Sequence, residues 1–340
     1  MTRVVPVAAA VIFRDDGRYL LGQRPMGSFY PGYWEFPGGK VETGEQPQQA
    51  LVRELYEELN IRIEAPEPWL VREHVYEHAH VRLHFFRVRR WRGRIAARVH
   101  ARLHWHAPHD TPPAPMLPAN APVLRALTQP SAIGITCASA LGVETQLQRL
   151  QTALSRGLRC VHVREPQMDA AQLREFAAAV RMYAAPAGAR VMLHTGGAHD
   201  CTHALALARE LQLDGVHLAA RHAAALRERP DVPWCSAAAH NREELRRAAA
   251  LGCDYAFFSP VHATPTHPHA TPLGWGNFAA LAADLPIPIY ALGGVSLADL
   301  PRARAAGAHG IAAIRGIWQI RENEDAQTRT GAGMAPDDEK

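Results

Sequence analysis

Three acids, Glu54, Glu57 and Glu58, stand in the segment Arg53-Glu54-Leu55-Tyr56-Glu57-Glu58-Leu59-Asn60-Ile61. On a helix at about 100° per residue they fall within roughly 100° of one another. Leu51, Leu55 and Leu59 form the adjoining apolar stripe, so the acids border the buried face instead of opposing it. Carboxylates crowded at such a boundary repel one another, a costly arrangement without a cation. Oxygen-rich donor sets of this kind suit Mg2+ or Mn2+, which also neutralise phosphate oxygens. On the spacing of the acids alone, an ordinary solvated acidic helix is equally compatible. The preceding loop, Gly38-Gly39-Lys40-Val41-Glu42-Thr43-Gly44-Glu45, shifts the balance. Its glycines let the backbone pass close to the helix, where a main-chain carbonyl can join a metal shell. Arg53 lies four residues before Glu57 and can hold it by an ion pair.

The elements that must position these groups can be read from the pattern. Residues 4–13 and 18–23 read as strands joined at Asp15-Asp16-Gly17, a hairpin signal. A loop rich in Gly, Pro and aromatics runs from Pro25 to Gly39. The acid-bearing helix is expected from about Pro47, which suits a first turn, to Leu59, with Gln46 as an indifferent N-cap. Strands follow near 69–77, 80–91 and 99–106, then a proline-rich loop over 107–118 and a short helix over 121–127. After residue 132 the rhythm changes. Short β-rich runs recur near 133–138, 160–165, 191–195, 215–219, 233–238, 255–261, 288–293 and 309–314. Helical stretches such as Ala170–Ala184, Arg242–Leu251 and Leu297–Ala306 separate them. That alternation predicts a parallel sheet, and eight strands favour a compact (β/α)8 barrel over an open doubly wound sheet. The fold class is α/β, with two domains as expected for 340 residues. The expected boundaries are residues 1–128, a linker over 129–132, a barrel over 133–320 and a disordered tail over 321–340.

Composition excludes several classes. The net charge is only +4, low for a stable nucleic-acid binder. The run Arg89-Arg90-Trp91-Arg92-Gly93-Arg94 reads as a solvated hairpin tip. The five cysteines are odd in number and none has C-x-x-C spacing, so a disulfide framework or zinc ribbon is not expected and a reducing cytoplasm fits. The apolar stretch Val7–Phe13 is too short for a membrane span and lacks a signal-peptide cleavage pattern. His100, His104 and His106 do not form a convincing zinc set.

The segment Gly39–Ile61 resembles the signature of the Nudix hydrolases, G-x5-E-x7-R-E-U-x-E-E-x-G-U with U aliphatic. Gly39, Glu45, Arg53, Glu54, Leu55, Glu57, Glu58 and Ile61 supply it, and Asn60 stands where glycine is usual. Asparagine tolerates the left-handed conformation that a helix end needs. The first 128 residues are similar to the MutT-type members, which act as 8-oxo-dGTP diphosphatases. Arg24, Trp34-Glu35-Phe36-Pro37-Gly38-Gly39 and Pro118-Ala119-Asn120-Ala121-Pro122 fall at matching places. The resemblance implies an α/β/α sandwich with a mixed sheet. It implies Arg24, Phe29, Glu35, Phe36, Pro37, Gly38 and Asn120 at the substrate, with Asn120 and Phe36 holding the purine. It further implies Gly38, Glu54, Glu57 and Glu58 as metal ligands, with Glu54 as the base and Arg53 and Glu57 in the catalytic set. Without it, Asn120 reads as a helix cap and Phe36 equally as core. The family's late metal-side glutamate, before a tryptophan, corresponds to His104 before Trp105. The implied reaction is Mg2+-assisted attack of water on the β-phosphorus of a nucleoside triphosphate, giving the monophosphate and pyrophosphate in nucleotide-pool sanitation and so in DNA repair.

Residues 132–318 resemble thiamine phosphate synthase and its non-synthase relative TenI. Val161-His162-Val163-Arg164-Glu165, Asp214-Gly215-Val216-His217-Leu218, Ser259-Pro260-Val261, Thr264-Pro265-Thr266 and Leu292-Gly293-Gly294-Val295 match in order. Thr264, Thr266, Gly293 and Gly294 would hold a thiamine-related phosphate, although the two glycines also read as a tight turn. The synthase's charged groups are replaced by Pro166, His194, Thr195, His222 and His267. Three readings remain open from sequence. The chain is a nucleotide-sanitising hydrolase with a degenerate barrel; or a bifunctional thiamine-pathway protein whose first domain cleaves a pyrimidine or thiazole diphosphate; or a hydrolase regulated by a ligand-sensing barrel.

Overall fold

The computed structural model describes residues 4–196, 200–264 and 270–318. The chain forms two compact units, with the first break between Gln129 and Pro130. In the N-terminal unit the strands are β1 (Val4–Ile12), β2 (Tyr19–Gln23), β3 (Trp34–Glu35), β4 (Gly38–Lys40), β5 (Arg62–Ile63), β6 (Glu67–Val75), β7 (His80–Val88), β8 (Trp91–Arg92) and β9 (Arg102–His106). They make a four-stranded sheet in the order β4-β1-β7-β6, a three-stranded sheet β3-β2-β9 and the pair β5-β8. The larger sheet is mixed, because β1 runs parallel to β7 and antiparallel to β4.

Alternation along β1 feeds two separate cores. Ala8, Ala10 and Ile12 face one side, where helix α1 (Pro47–Leu59) inserts Leu51, Leu55 and Leu59. Ala9 and Val11 face the other, where helix α2 (Ala121–Leu127) packs Val123, Ala126 and Leu127. The unit is therefore a sheet between two helices, as expected for the α/β/α sandwich. Gln46 caps α1 more effectively than expected, since its N–H donates to the Gln49 side chain at 2.9 Å.

Three local expectations need correction. Asp15-Asp16-Gly17 does form a turn, and Phe13 bridges Tyr19, but β1 and β2 then part into different sheets. Nine residue pairs with β7, from Val4↔His80 to Ile12↔Val88, claim β1 instead. The loop from Pro25 to Gly39 contains β3 and begins β4. The basic run 89–94 is no hairpin tip: Ile63 pairs with Trp91 and Arg62 with Arg92. Trp91 packs on the α1 core.

The second unit carries β10 (Ala132–Ile135), β11 (Cys160–Val163), β12 (Arg190–His194), β13 (Gly215–Leu218), β14 (Trp234–Ala239), β15 (Tyr255–Phe258), β16 (Ile289–Ala291) and β17 (Gly310–Ala313). They close into a barrel in chain order, as the eight β-rich runs predict. Ile133, Ile135, Cys160, Met192, Tyr255, Phe257, Tyr290 and Ala312 fill part of its interior. The helix Ala170–Ala184 buries Leu173, Phe176, Ala177 and Val180 and is capped by Asp169, which accepts from the Gln172 N–H at 2.9 Å. The stretch 297–306 divides into a 3-10 turn, Leu297–Asp299, and a helix, Leu300–Ala305. All five cysteines are free. Among the described residues no helix is long and apolar enough to cross a membrane. The expected disordered tail, 321–340, lies outside the described residues.

Helix α1 ends on Asn60 at φ 60° and ψ 33°, the left-handed region. An alanine there meets the strain that asparagine and glycine tolerate. Asn60→Ala is expected to destabilise the N-terminal unit by about 1 kcal/mol, whereas Asn60→Gly changes it little. Urea midpoints of the two variants measure this; equal midpoints would remove the conformational argument.

Candidate active site

The glycine loop and α1 meet as closely as backbone and side chain can. A Cβ on Gly39 would lie 2.2 Å from the Glu54 carboxyl carbon, and one on Gly38 would lie 2.1 Å from the Ala8 carbonyl oxygen. Gly38 also has φ 140°, outside the range that side-chain-bearing residues favour. The Gly38 N–H donates to Glu58 at 3.1 Å. A groove beside them is lined by Gly39, Lys40, Val41, Glu42, Thr43 and Glu54.

Arg53 is the clamp of this region. It donates to Glu45 at 3.0 Å, to Glu54 at 2.8 Å and to the Lys40 carbonyl at 3.0 Å. The expected ion pair with Glu57 is longer, at 3.5 Å. Arg53 thus bonds to the protein on several sides. The Arg53 hydrogen bond, with the Glu42 N–H, holds the Glu45 carboxyl below its ordinary range.

Burial raises the Glu58 carboxyl to about 7, against the opposing pull of His100 and the Gly38 N–H; Glu35 and Glu54 push the same way as burial. Glu58, Glu54, Glu35 and His100 therefore form one electrostatic group. Glu57 is more exposed, at 56%, and stands at its margin. The donors here are carboxylate oxygens, and the cradle beside Glu54 has no space for a methyl group. An oxygen donor set of this kind fits a hard divalent cation.

His104 does not occupy the metal-side place expected of it. Strand alternation puts His104 and Trp105 on opposite faces of β9. Trp105 packs on the α1 leucine core, so His104 turns away and meets the Trp34 ring at 5.9 Å. His100 is the histidine at the carboxylates: it is buried and lies 3.7 Å from Glu35. Its ring covers Gly22, where a Cβ would come within 2.3 Å of it. Nothing in local spacing marks His100, because its place depends on how the segment before β9 crosses β2.

The substrate-side residues divide. Arg24 bonds Glu35 at 2.6 Å and the Phe29 carbonyl at 2.6 Å. Phe29 is 68% exposed and stacks on His78 at 4.3 Å. Tyr76 stacks on the same histidine at 5.6 Å and meets Tyr30 at 5.4 Å. This aromatic shelf was not evident in the sequence. Phe36, expected at a purine, is buried between Tyr19 and Phe85, both at 5.8 Å. At 4% exposure the ring packs in the core on the α2 side of the sheet. Pro37 is buried and gives its carbonyl to the Ala10 N–H. Asn120 is 3% exposed and makes no side-chain cap for α2. Its amide Nδ2 lies 3.7 Å from Met116 Sδ, a weak acceptor.

In the barrel, Gly293 and Gly294 have φ of 96° and 65°, and a Cβ on either would come within 2.8 Å of Pro260 or His262. Positive φ and this close approach fit a tight turn. Thr264 lies on the neighbouring loop; Thr266 and His267 lie outside the described residues. Thr195 is bonded to His222, Oγ1 to Nδ1 at 2.7 Å, and accepts from the Ala219 N–H. Glu165 is buried and receives the Ala138 and Ser139 N–H groups.

Fold and site together define the first unit as a hydrolase acting on phosphorus anhydrides, joined to a closed parallel barrel. The chain belongs to two families: residues 8–126 match the Nudix domain and residues 132–317 match thiamine monophosphate synthase. It is 40% identical over 124 residues to a CTP pyrophosphohydrolase of Escherichia coli, covering 36% of this chain and 91% of that protein. It is 39% identical over 89 residues to an 8-oxo-dGTP diphosphatase of Proteus vulgaris, covering 26% of this chain and 80% of that one. Its barrel is 34% identical over 172 residues to a putative thiamine-phosphate synthase of Geobacter sulfurreducens, covering 49% of this chain and 77% of that one.

Glu58 has a testable pH signature. Its folded value, about 7, exceeds the ordinary 4.5, so the folded state holds its proton more tightly than the unfolded chain. The stability this gives is complete below about 4.5 and is lost as pH rises through about 7. A cation must displace the same proton, so divalent-metal affinity should fall as pH drops below about 7. Cation-free melting curves and calorimetric titrations from pH 5 to 8 read both slopes. Glu58→Gln should flatten both, and unchanged slopes would contradict the assignment.

Proposed function

We propose that the N-terminal domain is a Mg2+-dependent hydrolase, also served by Mn2+, that converts 8-oxo-dGTP or a related nucleoside triphosphate to the monophosphate and pyrophosphate. The observation that carries this reading is Asn120: a buried amide that is not spent on capping its helix and can read the edge of a base. Glu54, Glu58 and the Gly38 carbonyl would hold the metal, with Glu57 at the margin. A bound Mg2+ polarises phosphoryl oxygens and lowers the pKa of an attacking water. Glu54, fixed by Arg53, takes the proton of the water that attacks the β-phosphorus. Lys40, exposed on the groove, supplies positive charge toward the phosphates. The shelf of Phe29, Tyr76 and His78 offers flat faces for a base. We also propose a cytoplasmic location, from the odd number and spacing of the five cysteines.

A second substrate, CTP, is favoured by the identity to a CTP pyrophosphohydrolase along most of that protein's length. One screen separates the two. The full chain is given 8-oxo-dGTP, dGTP, CTP and dCTP, and pyrophosphate and phosphate release are read apart. Preference for 8-oxo-dGTP with pyrophosphate release is the expected outcome; preference for CTP replaces the substrate. Asn120→Ala should then narrow the discrimination between preferred and rejected bases, whereas equal loss on all would make Asn120 structural. Glu54→Gln and Glu58→Gln should each lose on the order of 100-fold or more in turnover. Near-full turnover in both, correctly folded, would dismantle the metal site.

We further propose that the barrel binds a thiamine-related phosphate without making thiamine phosphate. Expelling pyrophosphate requires cations and a metal held beforehand. Pro166 carries no charge, Thr195 is engaged by His222, and burial lowers the proton affinity of His222. Incubation of the full chain with both synthase substrates and Mg2+ should yield no thiamine phosphate. Clear product would make the protein bifunctional.

A further inference from the structure

Three histidines point into the barrel from consecutive strands: His162 on β11, His194 at the end of β12 and His217 on β13. His194 and His217 are direct partners in the strand register. One ring nitrogen from each lies within 4.8 Å of the other two. The ring centroids of His194 and His217 are 4.2 Å apart, and His162 lies 5.2 and 5.1 Å from them. Barrel interiors are normally packed with branched apolar side chains, so three touching imidazoles call for a chemical reason.

We propose that His162, His194 and His217 form a site for one divalent transition-metal ion of the zinc type, with a further position open to a phosphate-like anion.

The hydrogen bonds around the trio are those a histidine metal site needs. Nε2 of His162 meets the Tyr255 hydroxyl at 2.8 Å, and Nδ1 of His217 meets the Ser236 hydroxyl at 2.9 Å. Partners on these outer nitrogens can hold the ring protons there, leaving Nδ1 of His162 and Nε2 of His217 with lone pairs. Nδ1 of His162 faces Nε2 of His194 at 3.1 Å. Four-coordinate zinc at about 2.0–2.1 Å per nitrogen separates its ligands by about 3.3 Å, so that pair already stands at ligand spacing. Filling the site needs a tautomer change in this pair and a closing movement of the third ring.

The rings are enclosed: His162 and His217 are buried and His194 is half-buried. Neutral imidazoles suit Zn2+, Co2+, Ni2+ or Cu2+, not the hard ions preferred by carboxylates. Three histidines with one open position are the donor set of a reactive, not a closed structural, zinc site. Phe257 covers His217 and His162, at 4.4 and 4.7 Å. The trio brings no carboxylate, and the charge of Arg164 is felt by both His194 and His217. The ion's charge therefore calls for an anion at the open position, beside Arg164.

The test uses the full chain, stripped with chelator and titrated with Co2+ in excess Mg2+, so that Mg2+ fills the carboxylate site. Nitrogen-ligated four-coordinate Co2+ absorbs strongly in the visible, and six-coordinate Co2+ on oxygens hardly absorbs. A strong band saturating at about one equivalent is expected. It should disappear in His194→Gln and His217→Ala, and Tyr255→Phe should weaken binding about 10-fold. Added inorganic phosphate should shift the band; an unshifted band would eliminate the open anion position. Absence of a strong band in the wild type would overturn the site and leave a hydrogen-bonded histidine layer. Should the variants fail to fold, X-ray absorption of the Zn2+-loaded wild type decides: three nitrogens support the site, an all-oxygen shell refutes it.

Discussion

Carboxylates placed beside a buried leucine stripe repel one another and lose water, and the N-terminal domain is arranged around that cost. Leu51, Leu55 and Leu59 are fully buried, which brings Glu54 and Glu58 to the edge of the core. Glu58 consequently holds its proton to about 7. The opposing groups are local and specific: the Gly38 N–H, the His100 ring, and Arg53 bound to Glu54 and Glu45. The Gly38 N–H and Glu45 reach the helix because the glycine loop lies against α1, and that contact leaves no room for a Cβ at Gly39. Burial and mutual repulsion of these carboxylates are a cost that a bound cation would offset.

The barrel solves a different problem. Its chain-order closure leaves an interior that must be filled, and side chains from alternate strands fill it in layers. In this chain part of that filling is polar but neutral. Burial disfavours the charged forms of His162, His194 and His217. Thr195 and Glu165 are likewise satisfied internally, by His222 and by two backbone N–H groups. The two units thus offer contrasting donors. The first presents carboxylate oxygens, suited to hard cations; the second presents imidazole nitrogens in an enclosed interior.

Much of this was legible in the linear sequence because it depends on short-range periodicity. The bounds of α1 from Pro47 to Leu59, the left-handed Asn60 and the eight barrel strands follow from local pattern and turn chemistry. The Nudix signature is legible for the same reason: one loop and one helix supply it, so fixed spacing means fixed geometry. What only the tertiary structure decided involves pairing between distant segments. The parallel β1–β7 ladder drew β1 away from the hairpin that Asp15-Asp16-Gly17 suggested. The pairing of β9 with β2 turned His104 outward, while the segment before β9 brought His100 to the carboxylates. The enclosure of Phe36 by Tyr19 and Phe85 depended on strands far apart in the chain. The three barrel histidines are separated by tens of residues and meet only because adjacent strands share a register. Local periodicity determines which face a side chain takes on its own element; only long-range register determines what that face meets.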